Sequence, residues 1–177
     1  YYSRFAMIYA VAQKNIGPSG ATLVIARKDF IQQPVRTLPD ILSYKAMAEQ
    51  NSLVNTAPVF SIYVSSLYLT WMAEKGIDAI EQESIAKSAL LYDYIDQSSL
   101  YYAVAEPGSR SRMNVCCRLH RDELTDELVA FAAERGLLGI AGHRSIGGLR
   151  ISIYNAISLQ DTERLLGVLK EFEQMHA

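Results

Sequence analysis

Residues 5–10, FAMIYA, contain no charged side chain, and residues 21–27, ATLVIAR, place Leu23, Val24 and Ile25 in succession. A strand that is apolar on both faces is stable only between two layers, so the first run reads as a fully buried strand and the second as its β-branched companion. This feature constrains the architecture most. Such a chain covers both faces of the sheet or leaves apolar surface and strand edges bare, which is an association hazard. The ten residues between the runs include the turn GPSG and fit either a hairpin or a crossover.

Residues 28–53, with Pro34 and Pro39, read as irregular apart from a short helix around 41–49. The next segment, NTAPVFSIYVSSLYLTWMAEKG, follows helix rules: Thr56 as N-cap, Pro58 in the first turn, apolar and aromatic residues through Trp71 and Met72, and Gly76 as stop. A second helix over about 78–95 presents Ile80, Ile85, Ala89 and Leu90 on one face. The change of direction at Gly76 divides the chain into domains 1–76 and 77–177. The second contains a short strand near Tyr101, a strand at 112–119, a helix opened by RDELTDEL and ending at Gly136, and a strand at 149–156. A last helix over about 159–174 carries Leu165, Leu166, Leu169 and Phe172 at helical spacing. That order predicts an α/β chain whose second part is a small α+β lobe packed on one face of its sheet.

Half of the 177 residues are hydrophobic and the net charge is −2, so an anion site has to be a local cluster and nucleic acid is not an expected partner. The apolar stretch VFSIYVSSLYLTWMA is broken by serines and falls short of a span of roughly 20 residues, so no membrane helix is expected. The start, YYSRFAMIYA, lacks a basic leader and a cleavage site, which predicts no signal peptide and a cytoplasmic location. Cys116 and Cys117 are adjacent in a strand, with thiols on opposite faces, and read as two reduced thiols rather than a metal or redox pair.

Three places carry candidate chemistry. Lys14 follows the first strand, where desolvation of its charged form would favour the neutral nucleophile that Schiff-base chemistry needs. The alternative is a lysine whose long stem reaches water. In VNTAP, 54–58, Asn55 and Thr56 stand at a helix N-terminus, which fits either an anion site or an ordinary cap. In GHRSIGGLRISIYN, 142–155, His143, Arg144 and Arg150 surround a glycine-rich turn, suited to a substrate with two anionic ends or simply a solvated basic turn. Arg110 and Arg112 read as structural.

The segments IYAVAQKNIGPSG, NTAP, SRMNV and GHRSIGGLRISIYNA, in this order, resemble the phosphoserine aminotransferases, class V members of the fold-type I pyridoxal-phosphate enzymes. The resemblance implies that Lys14 forms the Schiff base with the cofactor aldehyde and then shuttles the proton between Cα and C4′. It implies that Gln13 helps hold the cofactor phosphate, and that Asn55 and Thr56 reach the phosphate of the neighbouring subunit across a homodimer interface. Arg150 matches the grip on the substrate α-carboxylate, and His143 and Arg144 match the residues binding the phosphate of phosphoserine or the distal carboxylate of glutamate. The implied reaction converts 3-phosphohydroxypyruvate and glutamate to O-phosphoserine and 2-oxoglutarate in serine biosynthesis; some relatives also act on a phosphohydroxythreonine in making pyridoxal phosphate. No metal is implied. Family members are longer, and the missing part is the N-terminal half, with the aspartate on the pyridine nitrogen and the aromatic residue on the ring. Residues 1–76 are then the end of the large cofactor domain and 77–177 the small domain, a fragment expected to be inactive alone. Other class V aminotransferases, cysteine desulfurases and a non-catalytic dimerisation fragment are the competing expectations.

Overall fold

The computed structural model describes residues 2–33, 36–144 and 147–176. It divides into two compact units, Tyr1–Glu74 and Lys75–Ala177.

In the first unit, β1 (Met7–Val11) and β2 (Thr22–Ala26) pair antiparallel from Met7↔Ala26 to Val11↔Thr22, so the connection is a hairpin. The strand read as fully buried is not: Phe5 is 50 % exposed and Tyr9 68 %, and in its partner β2 Ile25 is 60 % exposed. A two-stranded ribbon cannot cover its own faces, and most of the side chains on β1 and β2 are exposed. Two short helices follow, α1 (Lys28–Gln32) and α2 (Tyr44–Glu49). The long helix α3 runs over Val59–Lys75. Thr56 is not its cap. The Pro58 carbonyl accepts the Ile62 amide at 3.0 Å, so the cap position is Pro58 itself. The residue before a proline is biased out of the helical region, which keeps Ala57 and everything upstream outside the helix.

The turn after β1 rests on α3 through small residues. Ser61 Oγ donates to the Ser19 carbonyl at 2.6 Å, and a Cβ placed on Gly17 or Gly20 would run into the hydroxyl of Ser65 or Ser61. Among the described residues of this unit Ala12, Ser61 and Ser65 are the buried ones, whereas Phe60, Tyr63 and Leu67 on α3 are well exposed. Trp71, near the end of α3, contacts the Tyr68 ring at 5.1 Å.

In the second unit, α4 (Ile77–Ile95) leads to an antiparallel sheet of β3 (Tyr101–Ala103), β4 (Asn114–Leu119) and β5 (Leu149–Ser152), in the order β3-β4-β5. Helix α5 (Thr125–Glu134) follows β4 and α6 (Leu159–His176) closes the chain. Alternation along β4 sends Val115, Cys117 and Leu119 inward to Leu91, Ile95, Leu128, Leu169 and Phe172, while Asn114, Cys116 and Arg118 take the other face. Burial pushes the Cys117 thiol up to about 12, and both cysteines are free.

The buried stripe of α4 differs from the expected one. Ile80, Ser84, Lys87, Ser88, Leu91, Tyr92 and Ile95 face inward, Ile85 and Leu90 are half-buried, and Ala89 is exposed. Apolar spacing misjudged the rotation because polar residues occupy the stripe with their hydrogen bonds made inside it, such as Ser84 Oγ to the Ile80 carbonyl at 2.9 Å. Arg110 binds Asp96 through two hydrogen bonds of 2.6 and 2.7 Å, and Arg112 meets Glu81 at 2.5 Å, so both are structural.

Glu173 on α6 ties the turn between α4 and β3 to the last helix. It accepts hydrogen bonds from the Ser98 hydroxyl at 2.8 Å, the Ser99 amide at 2.9 Å, the Leu100 amide at 3.1 Å and the Tyr94 hydroxyl. Burial pushes its carboxyl up, but the donors from Tyr94, Ser98, Ser99 and Leu100 outweigh it and hold the group below the usual glutamate range. A folded-state value below the unfolded one contributes stability above the ordinary 4.5, lost as pH falls through the lowered value. Glu173→Gln is expected to cost about 2–3 kcal/mol at neutral pH. Urea melts of both proteins should show that gap closing in acid; a gap that is constant with pH contradicts the assignment.

Among the described residues no helix is long and apolar enough to cross a membrane, and no group of three His, Cys, Asp or Glu is placed to hold a metal ion.

Candidate active site

Lys14 stands in the tight turn that leaves β1, in the left-handed region at φ 81. The Ala12 carbonyl closes the turn by accepting both the Ile16 amide at 3.1 Å and the Gly17 amide at 2.7 Å, and Gln13 bridges to Gly17. A residue with a Cβ is uncommon in that conformation, and such strain collects where a side chain must be presented in one direction. Gln13 and Lys14 are exposed, so the burial of the amine expected at a buried strand end is not seen here.

Asn55 and Thr56 precede α3 and are exposed. Asn55 Nδ2 donates to the Thr56 carbonyl at 3.1 Å, which fixes the approach to the helix. Asn55, Ala57 and Pro58 line one end of an open groove of about 850 Å³ that runs past Thr22, Val24 and Leu69, and Lys14 is not among its lining residues. The first amides of α3 and the positive end of its dipole lie at this end.

The second cluster belongs to the other unit. The Gly142 amide donates to the Gly148 carbonyl at 2.8 Å, the Gly147 amide to the His143 carbonyl at 2.8 Å, and the Arg150 amide to the Ile140 carbonyl at 2.8 Å. His143 and Arg144 thus stand at the tip of a closed turn, with Ser145 and Ile146 outside the described residues. Gly148 has φ 64, and a Cβ there would come within 2.7 Å of the Cys117 carbonyl and of Arg118 Cγ, so the turn lies directly on β4. Arg150 pairs in register with Cys116 and lies on the sheet face away from the core, exposed. Whereas Arg110, Arg112, Arg121 and Arg135 each meet a carboxylate, Arg144 and Arg150 have no ion-pair partner among the described residues. The structure therefore brings His143, Arg144 and Arg150 onto one turn-and-strand unit, and Gln13 with Lys14 onto another.

Two residues escaped the reading of the sequence. The Asn114 side chain accepts the Ser152 hydroxyl at 2.9 Å and the Tyr154 hydroxyl at 3.2 Å, anchoring the exit of β5. Lys87 is buried at the centre of the α4 stripe. No local signal marked it: the apolar spacing of α4 put Ile80, Ile85, Ala89 and Leu90 on the buried face, and the carbonyls that satisfy Lys87 come from residues 153, 154 and 157.

The family model for class V aminotransferases matches residues 4–165. The phosphoserine aminotransferase of Geobacillus kaustophilus is 48% identical over 177 residues, covering 99% of this chain and 49% of its own length. The solved phosphoserine aminotransferase from Bacillus circulans subsp. alkalophilus superposes with a TM-score of 0.95 at 41% identity, over 99% of this chain and 49% of that one. The pyridoxal-phosphate-bound phosphoserine aminotransferase from Trichomonas vaginalis gives 0.90 at 32% identity, over 96% of this chain and 49% of that one. The chain spans about half the length of the curated relatives it matches. With the family model matched across nearly its whole extent, this chain belongs to the class V aminotransferases.

Proposed function

We propose that this chain is the C-terminal half of a pyridoxal-phosphate-dependent phosphoserine aminotransferase, which exchanges an amino group between glutamate and 3-phosphohydroxypyruvate. Residues 1–76 then complete the cofactor domain and 77–177 form the small domain. The observation that carries the reading is Lys14, held at φ 81 on a turn packed against α3. An amine fixed at a strand end, beside Gln13, suits a phosphate-bearing aldehyde, and the N-terminal end of α3 with Asn55 and Thr56 suits the phosphate of a second subunit's cofactor. The cofactor, when bound, supplies the electron sink that labilises the substrate Cα proton.

The work of the chain itself is positioning and proton transfer. Arg150 grips the α-carboxylate with its planar fork, so the amino group of either substrate arrives in one orientation. His143 and Arg144 take the far anion, a phosphate in one half-reaction and a carboxylate in the other. A turn that accepts either group lets both substrates use one site in alternation; a phosphohydroxythreonine has the same two anionic ends. Lys14 would be the base that moves the proton at Cα. The pair His143 and Arg144 favours a phosphorylated substrate over the small neutral side chains of other class V enzymes. The groove and the bare faces of β1, β2 and α3 are where the preceding half belongs, and without it the chain is inactive.

Incubating the full-length protein with pyridoxal phosphate, reducing with borohydride and mapping peptides tests the assignment. The expected adduct is on Lys14; an adduct confined to other lysines overturns it.

A further inference from the structure

The buried stripe of α4 contains one cation, Lys87, only 2 % exposed. Its ammonium has three protons, and they meet three backbone carbonyls: Ile153 at 3.0 Å, Tyr154 at 3.0 Å and Ile157 at 2.8 Å. No carboxylate takes part, since Glu83, one turn earlier, pairs with Lys75 at 2.6 Å. Burial pulls the Lys87 amine down from its ordinary range, with Glu83 opposing. A buried ammonium without a counter-ion is tolerated only when every proton is satisfied, and here the chain is curled so that its carbonyls converge on one point.

The curled segment is the exit of β5. Arg150 is three residues before the first of these carbonyls, on the same strand. Its amide is fixed to Ile140, and the strand is fixed again at Ile153, whose amide donates to the Met113 carbonyl at 2.9 Å. The carbonyl of that same Ile153 goes to Lys87, and the Ile157 amide closes the curl on the Tyr154 carbonyl at 2.9 Å. The tail YNAI of the glycine-turn motif supplies no ligand-binding group in the proposed function. Its Tyr154 and Ile157 carbonyls both meet Lys87, while the Tyr154 hydroxyl meets Asn114.

We propose that Lys87 is a positioning residue for the substrate carboxylate: a built-in cation that gathers the carbonyls of residues 153, 154 and 157 and so sets the reach of Arg150. The inference rests on the reading of Arg150 as the α-carboxylate grip. Removing the charge leaves buried carbonyls facing one another, and the strand exit relaxes while the core below it stays packed. A displacement of about 1 Å at a substrate-holding group costs up to about 100-fold in efficiency.

The test is steady-state kinetics of the full-length enzyme with Lys87→Met, a neutral side chain of similar length, alongside Arg150→Lys and a thermal melt of each. For Lys87→Met the expected result is a glutamate KM raised about tenfold or more with kcat changed less than about threefold, the signature of lost substrate binding. Lys87→Gln, which keeps two donors and is the safer fold, should raise KM by about threefold. A folded Lys87→Met or Lys87→Gln with wild-type KM, or with kcat reduced at unchanged KM, overturns the inference and leaves a purely structural lysine. If Arg150→Lys also leaves KM unchanged, the reading of Arg150 fails instead.

Discussion

On the proposed reading of Lys14 as both the holder of the cofactor aldehyde and the base at Cα, Lys14→Ala in the full-length enzyme is expected to reduce turnover by about 10⁴-fold or more. Lys14→Gly should be equally inactive but more stable than wild type by about 1 kcal/mol, since a left-handed φ of 81 is strained for lysine and free for glycine. The pairing of the two variants separates chemistry from fold. A lysine kept for stability would lose stability on replacement by either residue, whereas one kept for function at a strained position loses activity in both and gains stability in one. Urea titration and single-turnover kinetics on the two variants decide it. Residual turnover within tenfold of wild type in either would remove Lys14 from the mechanism.

The second large effect is expected at Gly142. A Cβ built there overlaps the Gly147 carbonyl oxygen and lies 2.7 Å from both the Gly147 carbonyl carbon and the Gly148 carbonyl oxygen. All of these are backbone, and the Gly142 amide is already bonded to Gly148 across the same gap at 2.8 Å, so the turn has to open. Gly142→Ala should therefore cost about 2–4 kcal/mol. Because His143 and Arg144 hang on the opened turn, the KM for the phosphorylated substrate should rise about 100-fold. Gly139 is the control: it has φ 74 but nothing within 4 Å of its Cβ position, so Gly139→Ala should cost only about 1 kcal/mol and leave KM alone. Equal effects at both positions would show that the turn relieves the close approach at Gly142 at little cost, against this prediction.

The elements of the second unit were legible because its sheet has one buried face: Val115, Cys117 and Leu119 alternate with Asn114, Cys116 and Arg118, and period two is a clear signal. The rotation of α4 was not, since apolar spacing gives no weight to Ser84, Lys87 and Ser88, and the carbonyls that satisfy Lys87 come from residues 153, 154 and 157, far away in the sequence. The start of α3 was read two residues early because Thr56 has good cap chemistry; the steric effect of Pro58 on its predecessor is the stronger influence. Lys14 drew notice as a lone charge after an apolar run. Its left-handed backbone, and the seating of GPSG on Ser61 and Ser65, depend on contacts across the fold that no local pattern encodes.

The burial of the first unit, which among the described residues takes in Ala12, Ser61 and Ser65 alone, has a spectroscopic consequence. The chain's single tryptophan, Trp71, lies in that unit, while the tightly packed Tyr92 and Tyr101 lie in the other. Tryptophan emission therefore reports the loosely packed segment that carries Lys14 and is silent about the well-packed one that carries Arg150. Near-ultraviolet dichroism from the buried tyrosines has the opposite bias. A melting point taken from one of these signals describes half of the molecule, and the separation between the two curves measures how far the fold behaves as one cooperative whole.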